Sequence, residues 1–222
     1  MKLSVLIPVY NEGSTVAELI SRVSAVEVDK EIIVVDDGSR DSTIEILNRM
    51  KHSDLRVIRH AENMGKGAAI RTALAAATGE AVIIQDADLE YDPMDYCKLL
   101  DAFEYGGVIA VYGVRDLSSQ RFYMRLGNRL VTFLTNLLFG AELRDVETCY
   151  KLVDRQLMQG LDLQSNGFEI EVEITVKLLR RGSLIREVPI SYLPRYEEKK
   201  LSPFDGLYAV LTLIKYRLFP DS

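Results

Sequence analysis

Val34-Val35-Asp36-Asp37-Gly38-Ser39 and Ile83-Ile84-Gln85-Asp86-Ala87-Asp88-Leu89 are the stretches on which the fold turns. In each, an apolar, β-branched run stops abruptly at two carboxylates. Such runs read as strands buried on both faces, the usual state of a parallel sheet, and the polar stop marks the strand's carboxyl end. In open α/β sheets that end is where ligands bind. In extended chain, Asp86 and Asp88 project to the same side, a spacing that suits one hard divalent cation shared with substrate phosphates. The same carboxylates also make good helix caps, with Asp41 or Asp92-Pro93 starting the next helices. Two acidic strand ends within one alternating pattern favour a ligand site over a pair of caps.

Working outward, Leu3 to Val9 reads as a first strand that turns at Pro8-Val9-Tyr10-Asn11-Glu12 into a helix over about Thr15 to Val26. A strand at Ile32 to Val35, a helix at Asp41 to Met50 and a short strand at Leu55 to Ile58 follow. In Asn63-Met64-Gly65-Lys66-Gly67 the glycines allow close backbone approach to a ligand and Lys66 offers charge to an anion, although a flexible helix start reads the same way. Ala68 to Ala77 is a small-residue helix, with Gly79 expected as its C-cap, and Val108 to Tyr112 is a further strand. The alternation predicts a doubly wound, mostly parallel α/β sheet flanked by helices.

Composition narrows the class. A chain of 222 residues with 48% hydrophobic and 27% charged residues can bury a full core as one domain. The formal net charge of -6 argues against a nucleic-acid binder. Cys97 and Cys149 lie far apart without metal-ligand spacing, so a reduced, cytoplasmic setting is expected. The amino terminus leads straight into a strand, and no apolar run approaches the roughly 20 residues that span a bilayer. A membrane role would therefore be peripheral.

The second half changes character. Leu126, Leu130, Phe133, Leu134, Leu137 and Leu138 fall at helical spacing between Gln120 and Gly140, beside Arg121, Arg125 and Arg129. Leucines flanked by arginines suit an interfacial helix near anionic headgroups, and they equally suit a core helix with a solvated arginine face. Asp145 to Leu152 reads as a mixed segment, Phe168 to Arg181 as a helix and Leu184 to Tyr192 as a strand. The charged stretch Arg195-Tyr196-Glu197-Glu198-Lys199-Lys200 reads as a loop. Beyond Pro203 a last helix carries Leu207, Val210, Leu211, Ile214 and Leu218 as one stripe.

These motifs, in this order, resemble the inverting family 2 glycosyltransferases, in particular the dolichol-phosphate mannose synthase and polyprenyl-phosphate glycosyltransferase branch. The matching pieces are Pro8 to Glu12, Asp36 to Thr43, Asn63 to Ala68, Asp86 to Leu89, Gly113 to Arg115, Asp145 to Lys151 and Glu187 to Ile190. The resemblance implies a GT-A nucleotide-diphospho-sugar fold with Asp86 and Asp88 holding Mg²⁺ or Mn²⁺. It places Asp37 near the nucleobase and Pro8, Tyr10 and Glu12 around the nucleoside. Arg115, Arg125, Arg195 and Lys200 would hold donor and acceptor phosphates. Where the family has Gly-Phe, this chain has Cys149-Tyr150, and its Gly-X-Ser-Lys loop is here Glu197 to Lys200.

The expected activity is transfer of a sugar from a nucleotide-diphospho-sugar, GDP-mannose and UDP-sugars being the donors to compare, to a polyprenyl phosphate at the cytoplasmic membrane surface. On this reading residues 1–112 form the donor half, 113–202 the acceptor side and 203–219 an amphipathic helix. Asp88, Asp145 and Arg115 form the catalytic set, with Lys66 assisting the leaving group. An anionic phosphate acceptor needs little deprotonation, whereas an alcohol in polysaccharide synthesis needs a base, for which the resemblance offers Asp145; orienting a neighbouring cation is the other role open to it. A membrane protein that recruits the enzyme is the alternative to direct lipid contact. The rivals are a nucleotidyltransferase, which lacks its glycine-rich first loop here, and a Mg²⁺-dependent binding module at Asp36-Asp37, which leaves Asp86-Ala87-Asp88 unexplained.

Overall fold

The computed structural model describes residues 1–105, 107–195 and 203–219, with the side chains of 203–205 not described. Among the described residues seven strands form one sheet: β1 (Leu3–Val9), β2 (Lys30–Asp36), β3 (Leu55–Arg59), β4 (Ala81–Ile84), β5 (Ala110–Arg115), β6 (Lys151–Asp154) and β7 (Ile185–Ile190). Their order is β3-β2-β1-β4-β6-β5-β7. All neighbouring pairs are parallel except those of β6, which runs antiparallel to both β4 and β5. The central strands are the most apolar because both faces are covered: β4 is buried throughout, as are Ile32 to Asp36 of β2. The outer strands are built differently. β3 exposes Arg56 and Arg59, and β7 exposes Arg186 and carries Pro189, whose missing N–H is tolerated at an edge.

Among the described residues there are eight α-helices: α1 (Val16–Ala25), α2 (Thr43–Arg49), α3 (Lys66–Ala76), α4 (Tyr96–Glu104), α5 (Phe122–Phe139), α6 (Arg155–Gln159), α7 (Ile170–Arg180) and α8 (Pro203–Leu218). The apolar residues of α1 recur at Val16, Leu19, Ile20 and Val23, one buried face of a helix. The alanines of α3 let it lie close on β1 and β2. A second, smaller core joins α5, α7 and α8 through Val131, Val172, Val176, Ala209, Leu213 and Tyr216. The last helix thus packs into this second core.

Three local readings change. The mixed segment after Asp145 contains a strand, β6, whose Lys151 start hid it. Gly79 is not the cap of α3, which ends at Ala77 in extended conformation; Gly79 instead lets the chain pass Lys2 and Ser4, where a Cβ would lie 2.7 Å from the Lys2 carbonyl. The leucine stripe of α8 is its outer face: Leu207, Leu211, Ile214 and Leu218 are exposed, while Ala209, Leu213 and Tyr216 pack inward. The charged loop from Tyr196 to Lys200, and with it Lys200, lies outside the described residues.

Candidate active site

After β1 the chain builds outward to β2 and β3, then returns across β1 to lay down β4 on the other side. At such a reversal the two loops diverge and leave a crevice beyond the strands' carboxyl ends. There a cavity of about 540 Å³, a size suited to a small-molecule ligand, is lined by loops from both halves.

On the β2 side Asp37 lines the cavity with both carboxylate oxygens engaged. His60 Nδ1 donates to Oδ1 at 2.6 Å, and the backbone N–H groups of Met64 and Gly65 donate at 2.9 and 2.8 Å. This ties β2 to the start of α3. The glycines flanking Lys66 serve that junction: a Cβ on Gly65 would lie 2.3 Å from the Asn166 carbonyl, and one on Gly67 2.3 Å from that of Ser165. The close approach is to the chain's own backbone, because Gly67 N–H donates to Asn166 O at 2.7 Å.

On the β4 side the pairings are between charges. Lys66 Nζ lies 2.7 and 2.9 Å from the two oxygens of Asp86 and 3.0 Å from Glu171 Oε1. Glu171 in turn accepts from the fully buried Lys151 at 2.6 Å. Burial pushes the Lys66 ammonium down, but Asp86 and Glu171 outweigh it and hold the group charged. Burial also pushes Glu171 up, and the two lysines bring it below the ordinary carboxylate range. Among the described residues Asp88 has no ion-pair partner. Burial, then the charges of Asp86 and Glu90, push its carboxyl up to about 7. Its loop is held in an uncommon shape, with Leu89 at φ 62° and Glu90 N–H donating back to Asp88 Oδ1 at 3.1 Å. Beneath it, Tyr96 and Tyr150 both donate to Gln85 Oε1, and Gln85 Nε2 donates to the Asp86 carbonyl.

On the far wall Arg115, at the end of β5, forms a two-pronged pair with Asp145: Nε to Oδ2 and Nη2 to Oδ1, each at 2.7 Å. The guanidinium lies over the Tyr192 ring at 5.3 Å. Arg195 spans to Glu12 at 3.0 and 3.2 Å. Glu90 receives Tyr192 Oη and Arg195 N–H, anchoring the segment after β7. Met124 and Asn128 bring one side of α5 to the cavity, and Glu147 enters from the loop before β6.

Of the residues singled out in the sequence, Pro8, Tyr10, Glu12, Asp37, Lys66, Asp86, Asp88, Arg115 and Arg195 line this one cavity. Two do not. Asp145 stands behind Arg115, 2% exposed, with both oxygens taken, which departs from the expectation of a base there. Arg125 is not a wall residue; its guanidinium lies over Phe122 at 5.8 Å. Glu90, Glu147, Glu171 and Tyr192 went unassigned. Glu171 carried a signal, an acidic residue at helical spacing among apolar ones, yet such residues usually face water.

Residues 4–161 match the family model described as Glycosyl transferase family 2. The chain is 30% identical over 230 residues to the dolichol-phosphate mannosyltransferase of Pyrococcus furiosus, a match covering 97% of this chain and 64% of that protein. It is 32% identical over 212 residues to a dolichyl-phosphate hexose transferase of Haloferax volcanii, covering 94% and 90%. This chain thus spans less than two thirds of the Pyrococcus relative's length. Among solved structures, glucosyl-3-phosphoglycerate synthase of Mycobacterium tuberculosis superposes with a TM-score of 0.77 at 25% identity, over 100% of this chain and 82% of that one. The same enzyme in complex with Mn²⁺, UDP-glucose and phosphoglyceric acid gives 0.75 at 24%, over 100% and 81%; that likeness speaks to the fold. Because the matched span runs from β1 through α6, and so takes in the acidic pair, Lys66 and Arg115 alike, the chain belongs to glycosyl transferase family 2.

Proposed function

We propose that this chain transfers a sugar from a nucleoside-diphosphate sugar to the phosphate of a polyprenyl lipid, working peripherally at the cytoplasmic membrane surface. The observation that carries this reading is the placement of α5. Its Met124 and Asn128 line the cavity, while Leu126, Phe133 and Leu137 on its outer side are 57%, 60% and 66% exposed. The outer leucines of α8, which packs against α5, extend the same kind of surface. An acceptor with an apolar tail and an anionic head fits a site beside such a surface. The names of the Pyrococcus and Haloferax relatives point the same way. Among the described residues no helix is long and apolar enough to cross a membrane.

Asp86 and Asp88 are the residues that would hold Mg²⁺ or Mn²⁺. Among the described residues no cluster of three ligating side chains exists, so further ligands would come from the diphosphate and water, the usual habit of Mg²⁺. The crowding that pushes Asp88 up to about 7 fits a cation site, because a dication would favour the ionised form. When bound, such a cation supplies neutralisation of the departing diphosphate. Lys66 offers a second positive charge in the same place, and Pro8, Tyr10, Glu12 and Asp37 form the wall for the nucleoside. Asp145 uses only one edge of the Arg115 guanidinium, leaving N–H groups for a phosphate oxygen. Residues 1–112 would thus act on the donor and 113–202, with the helix at 203–219, on the acceptor. GDP-mannose and UDP-sugars remain the donors to compare.

A hydroxyl acceptor is the second reading. The carboxylate of Glu147, which has no ion pair among the described residues, favours it. The test is transfer from GDP-mannose, UDP-glucose and UDP-GlcNAc to a short polyprenyl phosphate, with and without EDTA, together with sedimentation on anionic vesicles. Metal-dependent transfer and salt-sensitive vesicle binding are expected. Replacing Leu137 and Leu211 with Asp should weaken that binding about tenfold each, in line with the cost of withdrawing a leucine from lipid. Undiminished transfer in EDTA would remove the metal role, and absence of vesicle binding at low salt would remove the lipid surface.

A further inference from the structure

Glu147 is the one cavity carboxylate the transferase reading leaves without work. Asp86 is engaged by Lys66, Glu171 by two lysines, Glu12 by Arg195, Glu90 by Tyr192 and Arg195, and Asp37 by His60 and two backbone N–H groups, while Asp88 accepts from Glu90 N–H and is assigned to the cation. Among the described residues Glu147 makes no hydrogen bond or ion pair, although it lines the cavity. The loop that carries it is pinned on both sides. Arg144 and Asp145 N–H groups donate to Glu187 Oε1, Val146 N–H donates to Thr132 Oγ1, and Cys149 N–H donates to Tyr91 Oη. Lys151 Nζ holds the carbonyls of Val146 and Thr148. A rigid loop therefore presents one unpaired carboxylate to the ligand space. An unpartnered carboxylate in a partly desolvated site costs free energy, and its retention points to a role in chemistry.

Resting on the transferase reading, we propose that Glu147 is the general base that takes the proton from the acceptor oxygen. The acceptor supplies a protonated oxygen, either an alcohol hydroxyl or the P–OH of a phosphate monoanion. Glu147 accepts that proton, and the oxygen's electron pair forms the bond to the anomeric carbon. The bond from that carbon to the diphosphate oxygen breaks, and its electrons leave with the nucleoside diphosphate. Asp145, both of whose oxygens are held by Arg115, is a positioning residue for that arginine. The charged groups acting on Glu147 are Arg115 on β5, Asp145 in its own loop, Lys151 on β6 and Glu171 on α7. Burial, then Asp145 and Glu171, raise its carboxyl above the ordinary range against the pull of Arg115 and Lys151, which suits a proton acceptor.

The experiment compares wild type with Glu147→Gln on two acceptors, a short prenyl phosphate and the matching prenol, across a pH series, with nucleotide affinity measured by calorimetry. The variant should keep its nucleotide affinity and lose about 100-fold in kcat with the prenol near neutral pH and, with the phosphate, a growing share of its rate as pH falls below about 6. With the phosphate, the deficit should shrink to under about tenfold as pH rises past the second phosphate ionisation near 6, because the acceptor then arrives as a dianion. With the prenol it should persist, and Glu147→Asp should recover part of the rate. A Glu147→Gln enzyme within about threefold of wild type, or a phosphate-arm deficit that ignores pH, overturns the assignment. So does a wild-type rate on prenol that stays flat toward acid pH, a readout that needs no variant. Wild-type transfer to neither acceptor would instead overturn the transferase reading, and this inference with it.

Discussion

The carboxyl ends of β2 and β4 look alike in sequence, each an apolar run closing on two aspartates, yet the molecule uses them in opposite ways. Asp37 is saturated by backbone N–H groups and a histidine, partners that cannot leave without undoing the start of α3. Among the described residues Asp86 is paired with the side chain of Lys66 alone, and Asp88 accepts a single backbone bond. A carboxylate held by backbone supports the fold. One held by a mobile cation, or by none, is available to a ligand. The same contrast separates Glu173, which accepts from the N–H groups of Gln164 and Ser165, from Glu147.

The largest effect should come at the β4 end. Asp88→Asn is expected to reduce kcat by about 100- to 1000-fold, the usual cost of losing one preorganised electrostatic partner at a reacting diphosphate. Stability of the metal-free protein should not fall, because the change removes repulsion with Asp86 and Glu90. A clear drop in thermal midpoint would make Asp88 a structural group and erase the contrast.

Next is acid unfolding. Burial would raise the Glu173 carboxyl, but bonds from Lys177, Tyr216 and Ser165 outweigh it and hold the group at about 2. A depressed carboxyl contributes stability in full above its unfolded value near 4.5 and loses it as pH falls from there toward 2. The contribution is about 3 kcal/mol, so Glu173→Gln should weaken the protein at neutral pH by an amount of that order and flatten its acid dependence. Denaturant titrations of both proteins across that acid range check this, and parallel pH curves would refute it.

Asp37→Ala should cost about 1–3 kcal/mol, because the Met64 and Gly65 N–H groups lose their acceptor. Donor KM should rise as the start of α3 loosens. Unchanged stability with lost activity would move Asp37 into the group with Asp88. The smallest effect belongs to Asp92, which accepts from Met94 N–H at the turn before α4 and does not line the cavity. Asp92→Ala should cost under about 1 kcal/mol and leave transfer intact. A large loss of activity there would show that acidity alone near β4 matters.

What could be read from the chain was what neighbours along it decide. Apolar runs of four or five residues ending at carboxylates mark buried parallel strands and their ligand ends, because burial on both faces selects β-branched residues over a short window. The outline of the sheet, apart from β6, and the acidic pair Asp86 and Asp88 followed from that, as did Lys66 from its glycine-flanked turn, whereas Pro8, Tyr10, Glu12, Asp37, Arg115 and Arg195 came from the resemblance to a family. Tertiary structure alone decided the pairings. β6 begins with a lysine, and Lys151 can be buried only because Glu171, on a later helix, meets it there. Asp145 is buried beside Arg115, on β5, which claims both its oxygens. The outer face of α8 was indistinguishable from its inner one until α5 and α7 covered Ala209, Leu213 and Tyr216. Hydrophobic burial is additive and local enough to leave a periodic trace in sequence. The state of a buried charge depends on which opposite charge the fold brings within about 3 Å, and that distance is set by packing between segments far apart in the chain.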